Sequence, residues 1–548
     1  MEPSCVLRLV PMMKRNVCIF LSAMAAFGQS PDKLSQVDRI FAEFNNHTPG
    51  CAVAVEKNGV VVLKAGYGMA DLERNVPITP DTVFESGSLA KQFTATALML
   101  AAQKGKLSLD DPLRKFLPEL PDYGTPVTIR HVLSHVSGLR EWRSIATYRG
   151  LPEGRIVYTN QDLLEMASMQ RALNFEPGTH YSYTNTGYNI ATILLERALA
   201  NGQSFVQFTQ ENIFAPLAMV HTCWRDDYRT IVPNRALAYR RLKSAYIQDT
   251  PVENIIGAGG LLTTVGDLLL WNENFTRAKI GGPELVKAQQ TPAILKDGRR
   301  ITYAAGLNVA DREGIREVSH SGSTGGYATW LARYPEQGVS AVVLCNSSSA
   351  NPGKLGWETA RSWLDLKPGQ SGEPLFKEDP ARLSSLAGLY RNTLDSIATE
   401  VTWHEGKLHA FGGELTPVAA GAFRLGREAK VTVEAGPPIR LLVDTPNGES
   451  VIERVEPVHP SDSGIQSLTG RYFSADTGST VVMSAGSRAG DLAMRIGPAT
   501  ILELRPTYRD AFATTTGTVR FMRDAAGAVT GFSASDPRTW DLRFDRVR

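Results

Sequence analysis

Residues 88–104 read Ser88-Leu89-Ala90-Lys91-Gln92-Phe93-Thr94-Ala95-Thr96-Ala97-Leu98-Met99-Leu100-Ala101-Ala102-Gln103-Lys104. The stretch is apolar and Ala-rich, which predicts a helix buried in a core rather than one lying on a surface. Ser88 opens the helix and Lys91 follows one turn later on the same face, so the amine can reach the hydroxyl. That pairing serves acyl transfer, because a serine hydroxyl is a weak nucleophile until a neighbouring base takes its proton. Free N–H groups at a helix N-terminus also favour a developing oxyanion. By itself the tetrapeptide equally describes a helix-capping serine beside a solvated lysine, so its surroundings have to decide.

Upstream, Leu34, Val37, Ile40, Phe41 and Phe44 fall at helical spacing and predict a helix from Pro31 to Asn45. A hairpin follows, Ala52–Glu56 and Val60–Gly66, turning at Asn58-Gly59. Downstream, helical and loop segments alternate from Leu107 to Leu366. Two late strands, Ala328–Tyr334 and Val339–Asn346, turn at Pro335-Glu336-Gln337-Gly338. Early hairpin and late strands together predict an α/β (α+β) domain over 31–366, with one largely antiparallel sheet joining both chain ends and helices flanking it.

Residues 367–384 read as a linker, with Pro368, Gly369, Ser371, Gly372, Pro374 and Pro380 and little periodicity. Beyond it the texture changes to short alternating strands, with Asn447-Gly448 as a further turn. A weak repeat runs through this part. Leu386-Ala387-Gly388-Leu389-Tyr390 matches Leu468-Thr469-Gly470-Arg471-Tyr472, and Pro417 with Phe423 matches Pro506 with Phe512. Two antiparallel barrel-like units, 385–460 and 466–548, would produce it.

Two other motifs could carry chemistry. Tyr183-Thr184-Asn185 follows the turn signal Phe175-Glu176-Pro177-Gly178-Thr179 and precedes a helical run from Gly187. It therefore lies on a loop entering a helix, which can aim Tyr183 and Asn185 into a cleft. The same tripeptide at Tyr158-Thr159-Asn160 precedes Gln161-Asp162-Leu163-Leu164 and reads as a helix cap. His320-Ser321-Gly322-Ser323 leads into the late strands, placing His320 on or beside a sheet edge, and Gly322 lets a substrate backbone approach. His404-Glu405-Gly406 reads as a hairpin turn. His131 and His135 have the i,i+4 spacing of a metal pair, but no third ligand is evident, so no metal site is expected.

Bulk properties narrow the class. Hydrophobic residues make up 43% and charged residues 21% of the 548, a globular composition. The net charge of +2, without a long basic run, argues against nucleic-acid binding. Five cysteines contain no C-x-x-C pair. Cys51, Cys223 and Cys345 read as small buried apolar side chains. Lys14 and Arg15 precede an apolar run from Val17 to Phe27, too short to span a bilayer. Residues 1–29 therefore read as a secretory signal peptide with cleavage after Ala25 or Gly28, and the protein as exported to the periplasm or medium without an integral membrane span.

Taken in order, the three motifs resemble those of the penicillin-recognising serine enzymes: class C β-lactamases, DD-carboxypeptidases, D-aminopeptidases and related esterases. The resemblance spans Pro31 to Asp365. It includes the stretches Gly105-Lys106-Leu107-Ser108-Leu109-Asp110-Asp111-Pro112, Leu133-Ser134-His135-Val136-Ser137-Gly138-Leu139 and Gly259-Gly260-Leu261 with Thr263-Thr264. It implies a β-lactamase/transpeptidase-like domain with catalytic Ser88, Lys91 and Tyr183 and no cofactor. Asn185, His320, Gly322 and Ser323 would bind substrate, and the N–H groups of Ser88 and Ser323 would form the oxyanion hole. Histidine at 320, where many relatives carry lysine, and the appended β units are similar to D-aminopeptidases, whose extra domains narrow the cleft. The expectation is an acyl-enzyme hydrolase of small D-amino-acid peptides or amides. β-Lactam or ester hydrolysis is the alternative, and a slowly deacylating protein that binds penicillin or cell-wall fragments is the alternative of another class.

Overall fold

The computed structural model describes residues 31–364, 376–426, 428–498 and 500–547. The expected signal segment 1–29 and residues 367–375 of the expected linker lie outside them. Residues 380–384 of that linker belong to a short helix, Pro380–Ser385, capped by Asp379, with Leu383 buried. Two compact units are present. One comprises the chain up to Leu109 with Ala191–Thr291 and Ala304–Gly369, and the other comprises Asp110–Ile190, Pro292–Tyr303 and Gln370–Arg548. Among the described residues no helix is long and apolar enough to cross a membrane.

The first unit is built on a six-stranded antiparallel sheet. Its strands are β1 (Cys51–Lys57), β2 (Val60–Tyr67), β3 (Asn308–Arg312), β4 (Ile315–Thr324), β5 (Tyr327–Tyr334) and β6 (Val339–Cys345), in the order β3-β4-β5-β6-β1-β2. Asn58 and Gly59 both take positive φ (52° and 78°), the geometry that matches hairpin twist. Pairing of β1 with β6 joins the early hairpin to the late strands and sets Cys51 opposite Cys345. Their Cα atoms are 4.0 Å apart and the two form a disulfide, so these cysteines are not the separate apolar fillers the sequence suggests.

Helices cover the sheet on both faces. Helix α1 (Pro31–Ile40) and helix α4 (Pro352–Ala360) pack on one face, where Val37, Phe41, Trp330, Tyr334 and Trp357 form a core. Helix α1 is shorter than its apolar spacing suggests, because Asn45 accepts the His47 N–H at 2.9 Å and turns the chain into β1. Helix α3 (Val265–Arg277) lies against β1 and β6. Helix α2 (Ala90–Gln103) is the buried helix expected, with every residue from Ala90 to Ala101 out of solvent.

In the second unit, a helical lobe over 110–190 accompanies two closed eight-stranded antiparallel barrels, running from Gly388 to Arg454 and from Gly470 to Arg546. The internal repeat has a physical content. Tyr390 donates its hydroxyl to the Leu386 carbonyl at 2.9 Å, and Tyr472 does the same to Leu468 at 2.8 Å. Arg454 and Arg546, each in a last barrel strand, donate to the carbonyls flanking these glycine-containing turns. Pro417 and Phe423 are cross-strand partners, as are Pro506 and Phe512, so the shared spacing is a hairpin register.

Candidate active site

Ser88 sits in a single turn of 3-10 helix, Gly87–Leu89, that runs directly into α2. This tighter entry is where the expected helix start departs from regular geometry, and it leaves the Ser88 side chain partly exposed while its neighbours are buried. Lys91 is fully buried (0% exposed). Its ammonium nitrogen lies 3.1 Å from Ser88 Oγ and 3.0 Å from the carbonyl oxygen of Ala258. The Ala258 carbonyl belongs to the glycine-rich approach to Leu261, and Gly257 accepts from Thr94 Oγ1 beside it at 2.8 Å. Sequence reasoning flagged Gly259-Gly260-Leu261 as a motif without showing that the carbonyls just before it hold the lysine.

Strand β4 lies against this turn. Gly322 is where they touch: a Cβ there would stand 2.1 Å from the Ser86 carbonyl oxygen and 3.0 Å from the Ser88 nitrogen. Gly87 meets the same contact from the other side, with a positive φ of 53° and a Cβ position 2.7 Å from the Ser323 nitrogen. Side chains larger than hydrogen would separate the nucleophile from the strand. Thr329, opposite Gly322 on β5, fastens the turn by donating to the Ser86 carbonyl at 2.7 Å. No motif singled out Thr329; its role follows only from strand register.

His320 occupies the part of β4 that extends past its pairing with β3, which stops at Ser319. The side chain is 8% exposed. Burial, with the Lys91 charge adding to it, pushes the imidazole down to about 4. The ring is therefore neutral at neutral pH. Nδ1 lies 2.6 Å from the Ser321 carbonyl and donates to it, which leaves Nε2 as the unprotonated nitrogen.

Ser88, Lys91, His320, Gly322 and Ser323 thus come together in the first unit. Tyr183 and Asn185 belong to the second, where a buried loop holds them. His135, with a positive φ of 57°, accepts the Thr184 N–H at Nδ1 (3.3 Å), and its ring packs tilted against that of Tyr183 with centroids 4.1 Å apart. Tyr303 packs on both rings. Glu141, 2% exposed, accepts the Asn185 backbone N–H at 2.6 Å and the Asn185 amide at 3.1 Å. Sequence reading missed Glu141, although it lies two residues beyond the Leu133–Leu139 stretch. His131 and His135 do not share a helix face: the helix ends at Leu133, and His131 Nδ1 closes a capping box by accepting the Thr128 N–H. At the other tripeptide Thr159 caps helix Asn160–Ser168 through Asp162, and His404-Glu405-Gly406 is a hairpin turn with positive φ at Glu405 and Gly406.

The arrangement around Ser88 can activate a hydroxyl, shelter a buried amine and present backbone N–H groups to an oxyanion. A family model described as Beta-lactamase matches residues 37–362. A D-aminopeptidase of Brucella anthropi is 26% identical over 92% of this chain and 96% of that enzyme. A D-aminopeptidase of Gluconobacter oxydans is 31% identical over 55% of this chain, and the matched part is only 56% of that enzyme. Among solved structures, the octameric penicillin-binding protein homologue from Pyrococcus abyssi shares the fold, with a TM-score of 0.56 at 24% identity over 86% of this chain and 99% of that one.

Proposed function

Because the chain belongs to the β-lactamase family of penicillin-recognising serine hydrolases, we propose that it hydrolyses amide bonds of small D-amino-acid peptides or amides through an acyl-enzyme on Ser88. The observation that carries this reading is the buried Lys91 amine at 3.1 Å from Ser88 Oγ. Ser88 Oγ attacks the substrate carbonyl and gives its proton to the Lys91 amine. The leaving nitrogen takes a proton from the Tyr183 phenol as the C–N bond breaks, and proton exchange with solvent returns Lys91 and Tyr183 to their starting states. Water then adds to the ester and restores Ser88. The N–H groups of Ser88 and Ser323 hold the oxyanion, and Asn185 orients the substrate amide.

Two things support amide substrates of this kind. The Brucella anthropi relative, similar over nearly its whole length, is a D-aminopeptidase. A neutral His320 suits a substrate without a carboxylate at that position better than one with it. Export is part of the proposal, and a disulfide between Cys51 and Cys345 supports an oxidising compartment.

The test is a panel of D-alanine amide, L-alanine amide, a D-Ala-D-Ala peptide, nitrocefin and p-nitrophenyl acetate with the purified chain. Turnover is expected to be fastest on D-alanine amide and absent in Ser88→Ala. Equal rates on both alanine enantiomers, or full activity in Ser88→Ala, would refute the reading.

A further inference from the structure

The turn between the last two strands of the second barrel, Val529–Asp536 and Thr539–Arg546, carries an arginine outside every motif. The Arg538 guanidinium lies over the Tyr183 ring, 4.9 Å from its centroid. We propose that Arg538 is a positioning residue for Tyr183, holding a cation on the ring face that steadies the phenol and offsets the negative charge it takes on while handing over its proton. This rests on the role given to Tyr183 above.

The backbone of the turn is fixed from several sides. Asp536 Oδ1 accepts the N–H groups of Arg538 at 2.8 Å and Thr539 at 2.9 Å. Asn174 donates to the Arg538 carbonyl at 2.9 Å and accepts the Trp540 N–H at 2.8 Å. Trp540 packs on Phe175, with ring centres 5.3 Å apart. The barrel also grips the loop that holds Asn185. Arg140, buried, pairs with Asp476 at 2.7 Å, and the Glu141 N–H reaches Thr539 Oγ1 at 3.2 Å. The Arg538 side chain is exposed and makes no hydrogen bond or ion pair among the described residues. Its placement over the ring is therefore set by the anchored turn and by attraction to the aromatic face.

That attraction grows when the ring carries phenolate charge. The other titratable groups facing Tyr183 within the unit supply no standing cation. His135 accepts at Nδ1, Tyr181 and Tyr303 are phenols raised above their ordinary range by burial, and Glu141 is met by Asn185 and, at 3.6 Å, by Arg143.

Arg538→Ala, Arg538→Lys and Tyr183→Phe in the full chain test this, with kcat and KM for D-alanine amide followed from pH 5 to 10. Fluorophosphonate labelling of Ser88, in which Oγ bonds phosphorus and displaces fluoride, is read alongside, so that a wrong substrate class shows as normal labelling without amide turnover. In Arg538→Ala, kcat should fall roughly fivefold to twentyfold with KM little changed. The limb of the profile that Tyr183→Phe abolishes should move up by roughly half to one pH unit, because the cation no longer favours the phenolate. Arg538→Lys should recover most of both. An unchanged kcat and limb in Arg538→Ala would overturn the proposal. So would a rise in KM alone, which would make Arg538 a substrate contact, or a lowered melting temperature that accounts for the loss. Full activity in Tyr183→Phe would instead remove the role of Tyr183 itself.

Discussion

Gly322→Ala is the substitution whose consequence the structure defines most closely. The added Cβ would stand 2.1 Å from the Ser86 carbonyl oxygen, 2.3 Å from Thr329 Oγ1 and 3.0 Å from the Ser88 nitrogen. An ordinary contact needs about 3.4 Å, so strand β4 and the Ser88 turn must part by roughly 1 Å. The tightest neighbour is backbone, which cannot swing aside. Overpacking of this kind costs about 1–3 kcal/mol of stability, a fall of a few degrees in melting temperature for a domain this size. The catalytic cost is larger in relative terms. Misplacing a nucleophile by 1 Å lowers rate on the order of a hundredfold, about 2.7 kcal/mol of barrier. The assay is kcat/KM on D-alanine amide together with a thermal melt. Adding Thr329→Ala removes one clash but leaves Ser86, so the double variant should not recover. A folded Gly322→Ala enzyme within about threefold of the parent rate would refute the argument that the glycine sets the nucleophile against the strand.

Three other outcomes follow from the geometry. His320, held neutral down to about pH 4 when folded but titrating near 6.5 when unfolded, adds stability that is complete above pH 6.5. That stability drains as pH falls toward 4, by at most about 3 kcal/mol. Denaturant midpoints between pH 7 and 4 should therefore fall more steeply in the parent than in His320→Gln, and parallel slopes would contradict it. The Cys51–Cys345 disulfide closes a separation of 294 residues, for which chain entropy sets a ceiling of about 5–6 kcal/mol and measured values for native bonds run at about 2–5 kcal/mol. A reductant should lower the melting temperature of the parent by more than that of Cys51→Ala/Cys345→Ala. Glu141→Gln removes the charge from the acceptor of the 2.6 Å bond to Asn185, worth about 1.5–3 kcal/mol. Its kcat on D-alanine amide should drop at least tenfold with the circular dichroism spectrum unchanged, and a parental kcat would dismiss the clamp.

Much of the architecture was legible in short-range signals. Asn58-Gly59 announces its hairpin because both residues tolerate positive φ. The Leu-x-Gly-x-Tyr repeat announces two like barrels because each tyrosine bonds to a carbonyl four residues back. The Ser88–Lys91 approach is also local, since three residues of helix bring hydroxyl and amine together. The cap at Tyr158-Thr159-Asn160 was legible for the same reason: Thr159 has Asp162 three residues on to complete it.

What distance along the chain hid is equally specific. Cys51 and Cys345 pair because β1 and β6 are neighbours in one register, and nothing near either cysteine encodes that register. Thr329 faces Gly322, and the Ala258 carbonyl faces Lys91, only after strands and helix are assembled. The charge state of His320 depends on burial and on a lysine more than two hundred positions away in sequence, so its residue type alone does not fix its protonation. Residue order by itself determined which segments are helix, hairpin and repeat, and which hydroxyl has an amine within a turn, because those properties arise from contacts a few residues apart. The tertiary structure alone decided what surrounds each group, and with it the pairings, proton affinities and close approaches, because desolvation and packing are properties of neighbours the chain must fold to acquire.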